Sequence, residues 1–200
     1  AAEAGAQAVK FQTIVPARLV TSDQTARLQT LSRFQFGREQ FEKLAETARR
    51  NGVMFLSTPF DVETVGWLAA LVPAFKIASG DNDFTPLLRA VAATGKPIIM
   101  SCGLAELDDI RTARDLIYRV WRDADIRSSL ALLHCVVSYP TPPAEANLGS
   151  IEALRSLADT VGYSDHTLGI EAAVAAVAMG ARIIEKHFTL DKNLSTFRDH

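Results

Sequence analysis

The feature that most constrains the fold is a repeated alternation between short apolar runs and stretches with helical periodicity. Seven runs rich in Val, Ile and Phe recur along the chain, and six amphipathic stretches lie between them. This alternation is typical of parallel β-α units, because two parallel strands must be joined by a crossover that is usually a helix. The predicted strands are 8–12, 54–57, 74–78, 97–101, 130–136, 160–164 and 182–188.

The helical stretches have clear ends. Gly52, Gly95 and Gly180 follow three of them, and glycine is the usual residue where a helix stops in a left-handed conformation. Residues 13–37 have no strong period and are predicted to be a long loop after the first strand. The predicted helices are 38–51, 62–71, 84–94, 107–123, 150–157 and 170–179.

The repeat length indicates a barrel. The predicted strands that start at residues 8 and 182 are six repeats apart, a mean period of about 29 residues. Eight such units need about 232 residues, close to the roughly 250 of a (β/α)8 TIM barrel. We therefore expect an α/β fold in which residues 1–200 form about seven of eight units of a TIM-barrel catalytic domain. The first strand would be missing, and residues 1–5 would be the tail of the helix that follows it.

An open doubly wound sheet is the alternative fold. The sequence has no Gly-x-Gly-x-x-Gly turn and no Walker lysine loop, the motifs that mark a nucleotide crevice in such sheets. Their absence favours the barrel.

Composition limits the partners. The chain has 21 basic and 23 acidic residues, a net charge of −2, and no run of like charge, so nucleic acid and anionic membranes are not expected as partners. Cys102 and Cys135 lie inside apolar segments, which indicates a reducing compartment and buried residues rather than nucleophiles. With no signal peptide and no membrane-length apolar stretch, we expect a cytoplasmic protein with a small ligand.

Two histidines are placed to share a metal ion. His166 and His187 are 21 residues apart, about one β-α unit, and each falls at the end of a predicted strand beside Asp165 or Glu185. Neighbouring parallel strands lie roughly 4.8 Å apart, so the two imidazoles could bind one divalent ion. The alternative is that either histidine is a satisfied core or capping residue. His134 has no such partner and is predicted either to support the site without touching the ligand or to be structural.

Two lysines indicate an anion. The chain has few lysines, yet Lys10 and Lys76 lie within apolar predicted strands. A buried ammonium group must be paired or must bind an anion such as a carboxylate or phosphate. An ion pair with Asp81 or Glu185 is one alternative, and a Schiff-base lysine of lowered pKa is another.

Three hydroxyl-bearing turns favour the same interpretation. Ser-Thr-Pro at 57–59, Ser-Gly-Asp at 79–81 and Ser-Cys-Gly at 101–103 follow successive predicted strands. Such turns expose backbone N–H and hydroxyl donors that suit phosphate oxygens. Together they predict an anion pocket.

These segments together resemble the sialic acid synthase family. Members of that family are phosphoenolpyruvate-dependent nonulosonic acid synthases, which condense phosphoenolpyruvate with an N-acyl hexosamine such as N-acetylmannosamine and release phosphate. The resemblance implies a TIM barrel and covers almost all of the chain. It is carried by VKFQT at 9–13, FLSTPFD at 55–61, FKIASGD at 75–81, LLHCVVSYPTPPAEANL at 132–148, VGYSDHTLGI at 161–170 and IEKHFTLDK at 184–192.

The resemblance also implies roles for individual residues. A divalent metal, usually manganese with magnesium or cobalt as alternatives, would be held by His166 and His187. Catalytic roles fall to Asp81, Lys76 and Tyr139. The substrate-binding residues implied are Lys10, Thr58, Lys76, Ser79, Ser101, Ser164 and Asp199.

The sequence departs from the family pattern in several places. A first strand with a sugar-binding Glu would lie before residue 1, and a C-terminal antifreeze-like domain would lie beyond residue 200. The resemblance therefore implies that this chain is inactive alone and that the full-length protein is a homodimer. Cys102 stands where Thr is usual, and residues 195–198 replace a shorter link, which leaves the role of Asp199 and the sugar acceptor open.

Other functions remain compatible with the residues. A Schiff-base aldolase would use Lys76 or Lys10 covalently. A catalytically silent paralogue would bind sugar phosphates without turnover. A spore-coat or surface-polysaccharide member of the same family would differ only in the sugar it uses.

Overall fold

The computed structural model describes residues 1–191 and residue 193. Within that part of the chain, seven strands alternate with helices as predicted. The strands are β1 (Ala8–Thr13), β2 (Met54–Pro59), β3 (Phe75–Ile77), β4 (Ile98–Ser101), β5 (Leu130–Cys135), β6 (Thr160–Asp165) and β7 (Ile183–Lys186). The helices are α1 (Pro16–Leu19), α2 (Thr25–Ser32), α3 (Arg38–Arg50), α4 (Val62–Leu68), α5 (Thr85–Ala93), α6 (Leu107–Asp123), α7 (Ser150–Leu154) and α8 (Glu171–Ala178). Short 3-10 turns cover Ser79–Asp81 and Pro143–Glu145.

The fold is of the α/β class, as predicted. The strands follow one another in the sheet in chain order, and β1 pairs with β2, β2 with β3, β5 with β6 and β6 with β7, all in parallel. Sequential parallel strands place their carboxyl ends at the same edge, where α/β proteins bind their ligands. The chain divides into two compact units.

Unit one comprises residues 1–77, 84–98 and 117–128. Its core holds Phe41 of α3, which packs edge-on against Phe55 of β2 with ring centres 6.3 Å apart and lies 5.5 Å from Trp67 of α4. Trp121 of α6 donates its indole N–H to the Ala92 carbonyl of α5 over 3.0 Å. Helices α3 to α5 are therefore fixed by buried apolar faces, the usual source of helix stability in proteins.

Unit two comprises residues 78–83, 99–116 and 129–200, as far as the chain is described. Leu132 and Leu133 of β5 and Ile151 of α7 are fully buried in its core. Gly162 of β6 lies so close to β7 that a Cβ there would sit 2.3 Å from the Ile183 carbonyl oxygen. The close pairing of β6 with β7 therefore requires glycine at position 162.

Two sequence predictions about local structure were wrong. Residues 13–37 are not one long loop, because α1 and α2 lie within them. Helix α2 has no buried residue, so it lacks the apolar stripe that would have revealed it in the sequence. Residues 1–5 form hydrogen-bonded turns instead of the end of a helix.

The remaining differences are at the ends of elements. Strand β7 is shorter than predicted and ends at Lys186, so His187 lies just beyond it.

Other sequence predictions agree with the structure. Gly52, Gly95 and Gly180 have positive φ angles, as expected of helix stops. Cys102 and Cys135 are buried and form no disulfide, as predicted. In the described part of the chain, none of the helices combines the length and the apolar character needed to cross a bilayer.

Candidate active site

The two candidate metal ligands lie side by side in unit two. Asp165 and Lys186 are register partners at the ends of the neighbouring strands β6 and β7. His166 and His187 are the residues that directly follow these two strand ends. Their ring centres are 5.4 Å apart and the rings are nearly perpendicular, at 83°. A Zn-like ion about 2.1 Å from each nitrogen lies roughly 3.2 Å from each ring centre, which puts two such rings about 5 Å apart. The separation of the two ring centres therefore matches that of two imidazoles that share one ion.

The two histidines have no third metal-binding side chain grouped with them among the described residues. Among the described residues, no group of three or more His, Cys, Asp or Glu side chains is arranged to hold a metal. An ion bound by His166 and His187 would keep several positions for water or substrate oxygens, which is the arrangement of a catalytic site.

His166 is oriented by the backbone. Its Nδ1 lies 2.7 Å from the Val136 carbonyl oxygen, an atom that only accepts hydrogen bonds. Nδ1 therefore donates its N–H to that carbonyl, and Nε2 is the ring nitrogen left for another partner. Metal-binding histidines typically make such a contact, with one ring nitrogen bonded to a carbonyl that fixes the orientation of the ring.

Tyr139 covers both histidines. Its ring centre is 4.3 Å from that of His166 and 5.8 Å from that of His187. The loop is held in place by Thr141, whose backbone N–H donates to the His166 carbonyl over 2.9 Å and whose hydroxyl donates to Ser138. The structure thus brings three of the predicted site residues together.

A second group of predicted residues lies around the turn at Ser79. The Ser79 hydroxyl accepts a hydrogen bond from the Gly103 N–H over 2.9 Å and lies 3.0 Å from the Cys135 sulfur. Position 103 must be glycine, because a Cβ there would meet that sulfur at 2.5 Å. Asn82, next to Asp81 in the chain, donates to the Ser101 carbonyl over 3.0 Å. Ser79, Asp81 and Ser101 therefore share one neighbourhood.

Ser164 has a partner that sequence reasoning did not assign to it. Its hydroxyl donates to the Glu185 carboxylate over 2.8 Å. The two are register partners on β6 and β7, and in-register side chains of parallel strands point to the same face. To donate to a substrate anion, the Ser164 hydroxyl has to turn away from Glu185.

The remaining anion-binding candidates belong to unit one. Lys10 aligns with Leu56 of β2, and Thr58 lies two residues further on the same strand. Ser57 aligns with Phe75, so Thr58 aligns with Lys76. Strand alternation then places Lys10, Thr58 and Lys76 on one face of the sheet.

Thr58 is the most informative of these three residues. Its hydroxyl oxygen is fully buried and has no hydrogen-bond partner among the described residues. Lys76 is 3% exposed, and its ammonium group donates to the Ile77 carbonyl over 3.1 Å. A buried hydroxyl that lacks a partner is costly, and an anionic ligand oxygen beside two lysines would satisfy it.

Sequence reasoning missed Lys186. Its ammonium group lies 2.7 Å from the Asp165 carboxylate, which is buried. Burial alone would raise the pKa of Asp165, but the hydrogen bonds from Lys186 and Thr167 outweigh it and lower that pKa. A signal for this pair was available in the sequence, because Lys186 directly precedes His187 just as Asp165 directly precedes His166.

Asp199, predicted to bind substrate, lies outside the described residues.

His134 has contacts that are typical of a structural residue. It is buried, its Nε2 lies 2.8 Å from the Ala146 carbonyl oxygen, and its ring stacks on Tyr163. Burial lowers the pKa of His134, and the hydrogen bond to Ala146 offsets part of that effect.

The lowered pKa of His134 predicts a loss of stability in weak acid. As the pH is lowered through about 6.5, the unfolded chain binds a proton at this position while the folded chain does not. The free energy of unfolding therefore decreases as the pH decreases. We expect the melting temperature of His134→Gln to fall less between pH 7.5 and 5.5 than that of the wild type. Thermal unfolding followed by circular dichroism measures both slopes, and equal slopes would contradict this role for His134.

The chain is similar to a known protein family along its whole length. A family model described as "NeuB family" matches residues 1–200. An uncharacterized protein of Methanocaldococcus jannaschii is 45% identical over 196 residues, which are 97% of this chain and 56% of that protein. The N,N'-diacetyllegionaminic acid synthase of Campylobacter jejuni is 39% identical over 210 residues, which cover 98% of this chain and 62% of that enzyme.

A solved structure is similar over nearly the whole chain. It is the N-acetylneuraminic acid (sialic acid) synthetase of Leptospira borgpetersenii in complex with citrate, with a TM-score of 0.91 and 36% identity. The match covers 99% of this chain and 68% of that one. The chain thus spans 56% and 62% of the length of the two curated relatives.

Proposed function

Because the chain belongs to the NeuB family, we propose that the protein is a nonulosonic acid synthase. The reaction condenses phosphoenolpyruvate with an N-acyl hexosamine and releases phosphate. The observation that carries the proposal is the pair of neighbouring imidazole rings of His166 and His187, both packed against Tyr139. The printed names of a legionaminic acid synthase and a sialic acid synthetase among its relatives support it.

The proposal extends to the architecture. Sequential parallel strand order and the TM-score of 0.91 support a (β/α)8 barrel in the whole protein. The activity belongs to that whole protein, since the chain spans only 56% and 62% of its curated relatives. We include a homodimer and a C-terminal antifreeze-like domain in the proposal.

His166 and His187 are the proposed ligands of a divalent ion, Mn²⁺ in the first instance. When bound, such an ion supplies Lewis-acid polarisation of the aldehyde oxygen of the open-chain sugar. The Val136 carbonyl holds His166 in the tautomer that a ligand requires. Tyr139, packed against both rings, keeps bulk water from one side of the site.

In unit one, Lys10, Thr58 and Lys76 are the proposed holders of anionic substrate groups. Charge-assisted hydrogen bonds from lysine to phosphate or carboxylate are short and strong. The buried Thr58 hydroxyl, which has no partner among the described residues, supports a role as donor to such a group. The citrate in the related synthetase shows that this relative binds an anion.

In unit two, the proposed donors are Ser79, Ser101 and Ser164. The Gly103 N–H occupies one lone pair of the Ser79 hydroxyl, so the hydroxyl proton remains to be donated to Cys135 or to the substrate. In the proposed reaction, the methylene carbon of phosphoenolpyruvate attacks the aldehyde carbon, water adds to the former enol carbon, and phosphate leaves. Asp81 is the proposed carrier of a proton in these steps.

The direct test is a condensation assay on the full-length natural protein. We expect phosphate to be released from phosphoenolpyruvate only when Mn²⁺ and an N-acyl hexosamine are both present, with one nonulosonic acid formed per phosphate. N-acetylmannosamine and the precursor sugar of legionaminic acid are the two acceptors to compare, because relatives are named for both kinds of product. Binding of phosphoenolpyruvate without product under all these conditions would instead support a silent paralogue.

A trapping experiment tests the Schiff-base alternative. Borohydride reduces an imine between lysine and pyruvate to a stable amine, which adds mass to Lys10 or Lys76. We expect no adduct by mass spectrometry after incubation with pyruvate and borohydride. An adduct on either lysine would replace the synthase proposal with an aldolase.

A further inference from the structure

Behind the two histidines, a buried polar network joins the end of β6 to the end of β7. Lys186 donates from its ammonium group to the Asp165 carboxylate over 2.7 Å and to the Thr167 carbonyl over 2.6 Å. The other carboxylate oxygen of Asp165 accepts the backbone N–H and the hydroxyl of Thr167, each over 2.8 Å. Every connection in this network is at hydrogen-bond distance.

The network brackets both candidate metal ligands. His166 lies between Asp165 and Thr167 in the chain, and His187 follows Lys186 directly. From the position just before His187, Lys186 therefore binds the side chain of the residue before His166 and the backbone carbonyl of the residue after it. Side chains alternate along a strand, so Asp165 and Lys186 lie on the opposite face from Ser164 and Glu185.

The burial of the network makes it a geometric constraint. The Asp165 side chain is 0% exposed and that of Lys186 is 28% exposed. A buried carboxylate that loses its partner is strongly unfavourable, so the two strand ends cannot separate without a large cost. The relative position of the two imidazole rings depends on the same strand ends.

We propose that Asp165 and Lys186 are positioning residues that set the distance between His166 and His187. This inference rests on the proposed function, because it concerns the affinity of the histidine pair for a divalent ion. Groups behind metal ligands commonly change metal affinity by 10–100-fold when they are replaced. The network performs this role without touching the ion or the substrate.

The test is the affinity of the full-length natural protein for Mn²⁺ alone, measured from the electron paramagnetic resonance signal of the unbound ion. Lys186→Met keeps the length of the side chain and removes its charge, and we expect the dissociation constant to rise at least tenfold. Lys186→Arg keeps the charge, and we expect it to recover part of the loss. Circular dichroism and thermal unfolding show whether each variant is folded.

Arg155→Met is the matched control. Arg155 pairs with Glu152 in an exposed ion pair of the same unit, so its loss removes a salt bridge without affecting the histidines. We expect its Mn²⁺ affinity to stay within twofold of the wild type. A purely structural role for Lys186 would lower the melting temperature and leave the Mn²⁺ affinity of the folded protein unchanged, which would overturn the inference.

Two further results separate this inference from the proposed function. If the wild type binds no Mn²⁺, both fail; if it binds Mn²⁺ and folded Lys186→Met binds it equally well, only the inference fails. Should Lys186→Met not fold, Thr167→Val removes one hydroxyl donor to Asp165 and leaves the ion pair in place. We then expect a rise of two- to tenfold in the dissociation constant, and an unchanged value would overturn the inference.

Discussion

His187→Ala and His166→Ala are each expected to lower Mn²⁺-dependent condensation to below about 1% of the wild-type rate, because metal polarisation is worth several kcal/mol. In the proposed site His166 and His187 are the two protein ligands, so removal of either would leave a single one. His187→Ala should remain folded, since His187 is exposed and lies beyond the end of β7. Phosphate release at saturating Mn²⁺ measures the loss, and circular dichroism checks the fold.

The comparison requires a protein that has been stripped of metal and reloaded. Wild-type activity should disappear with a chelator and return when Mn²⁺ is added back. His134→Gln serves as the control histidine, because its ring bonds to the Ala146 carbonyl and glutamine also carries a donor there. The metal role is wrong if both alanine variants regain full activity in this protocol.

Gly162→Ala is expected to lower the free energy of unfolding by about 3 kcal/mol, the upper end of the range for overpacked cores. Its Cβ would lie 2.3 Å from the Ile183 carbonyl oxygen and 2.5 Å from a methyl carbon of Leu133. Because the nearest atom belongs to the backbone of β7, the strand itself must move. Chemical denaturation with urea measures the change.

Gly66→Ala is the matched control for Gly162→Ala. Gly66 lies inside α4, and a Cβ there meets no atom within 4 Å. Alanine is favoured over glycine in a helix by roughly 0.5–1 kcal/mol, so this variant should be slightly more stable than the wild type. Equal stability of Gly162→Ala and the wild type would show that β6 and β7 can separate without cost.

Much of the fold could be predicted because its signals are local. The apolar runs and the helical periods gave all seven strands and six of the helices, since each buried element imprints its own periodicity on the sequence. Helix α2 was missed because none of its residues is buried. Its sequence therefore carries no clear apolar stripe of helical period. The extent of β7 was overestimated, because an apolar run does not mark the residue at which pairing ends.

The candidate site was also predicted in part: the positions of its histidines were predicted from local signals, and the contacts around them were not. Strand spacing was enough to place His166 beside His187, because neighbouring parallel strands bring their ends together. The contacts of Ser164 with Glu185 and of Lys186 with Asp165 depend on register, and register is set by pairing that no single strand reveals. Asp165 and Glu185 were noticed as charges near the histidines, but their actual partners came only from the structure.

The opposite orientations of Ser164 and Asp165 on one strand have a practical consequence for redesign. In the proposed site, the surface of β6 and β7 that carries Ser164 and Glu185 faces the substrate, while the reverse surface, with Asp165 and Lys186, keeps the two strand ends aligned. An engineer who wishes to change the preferred sugar can therefore alter the first surface in a library of variants. The alignment, anchored from behind by Lys186, would survive that diversification.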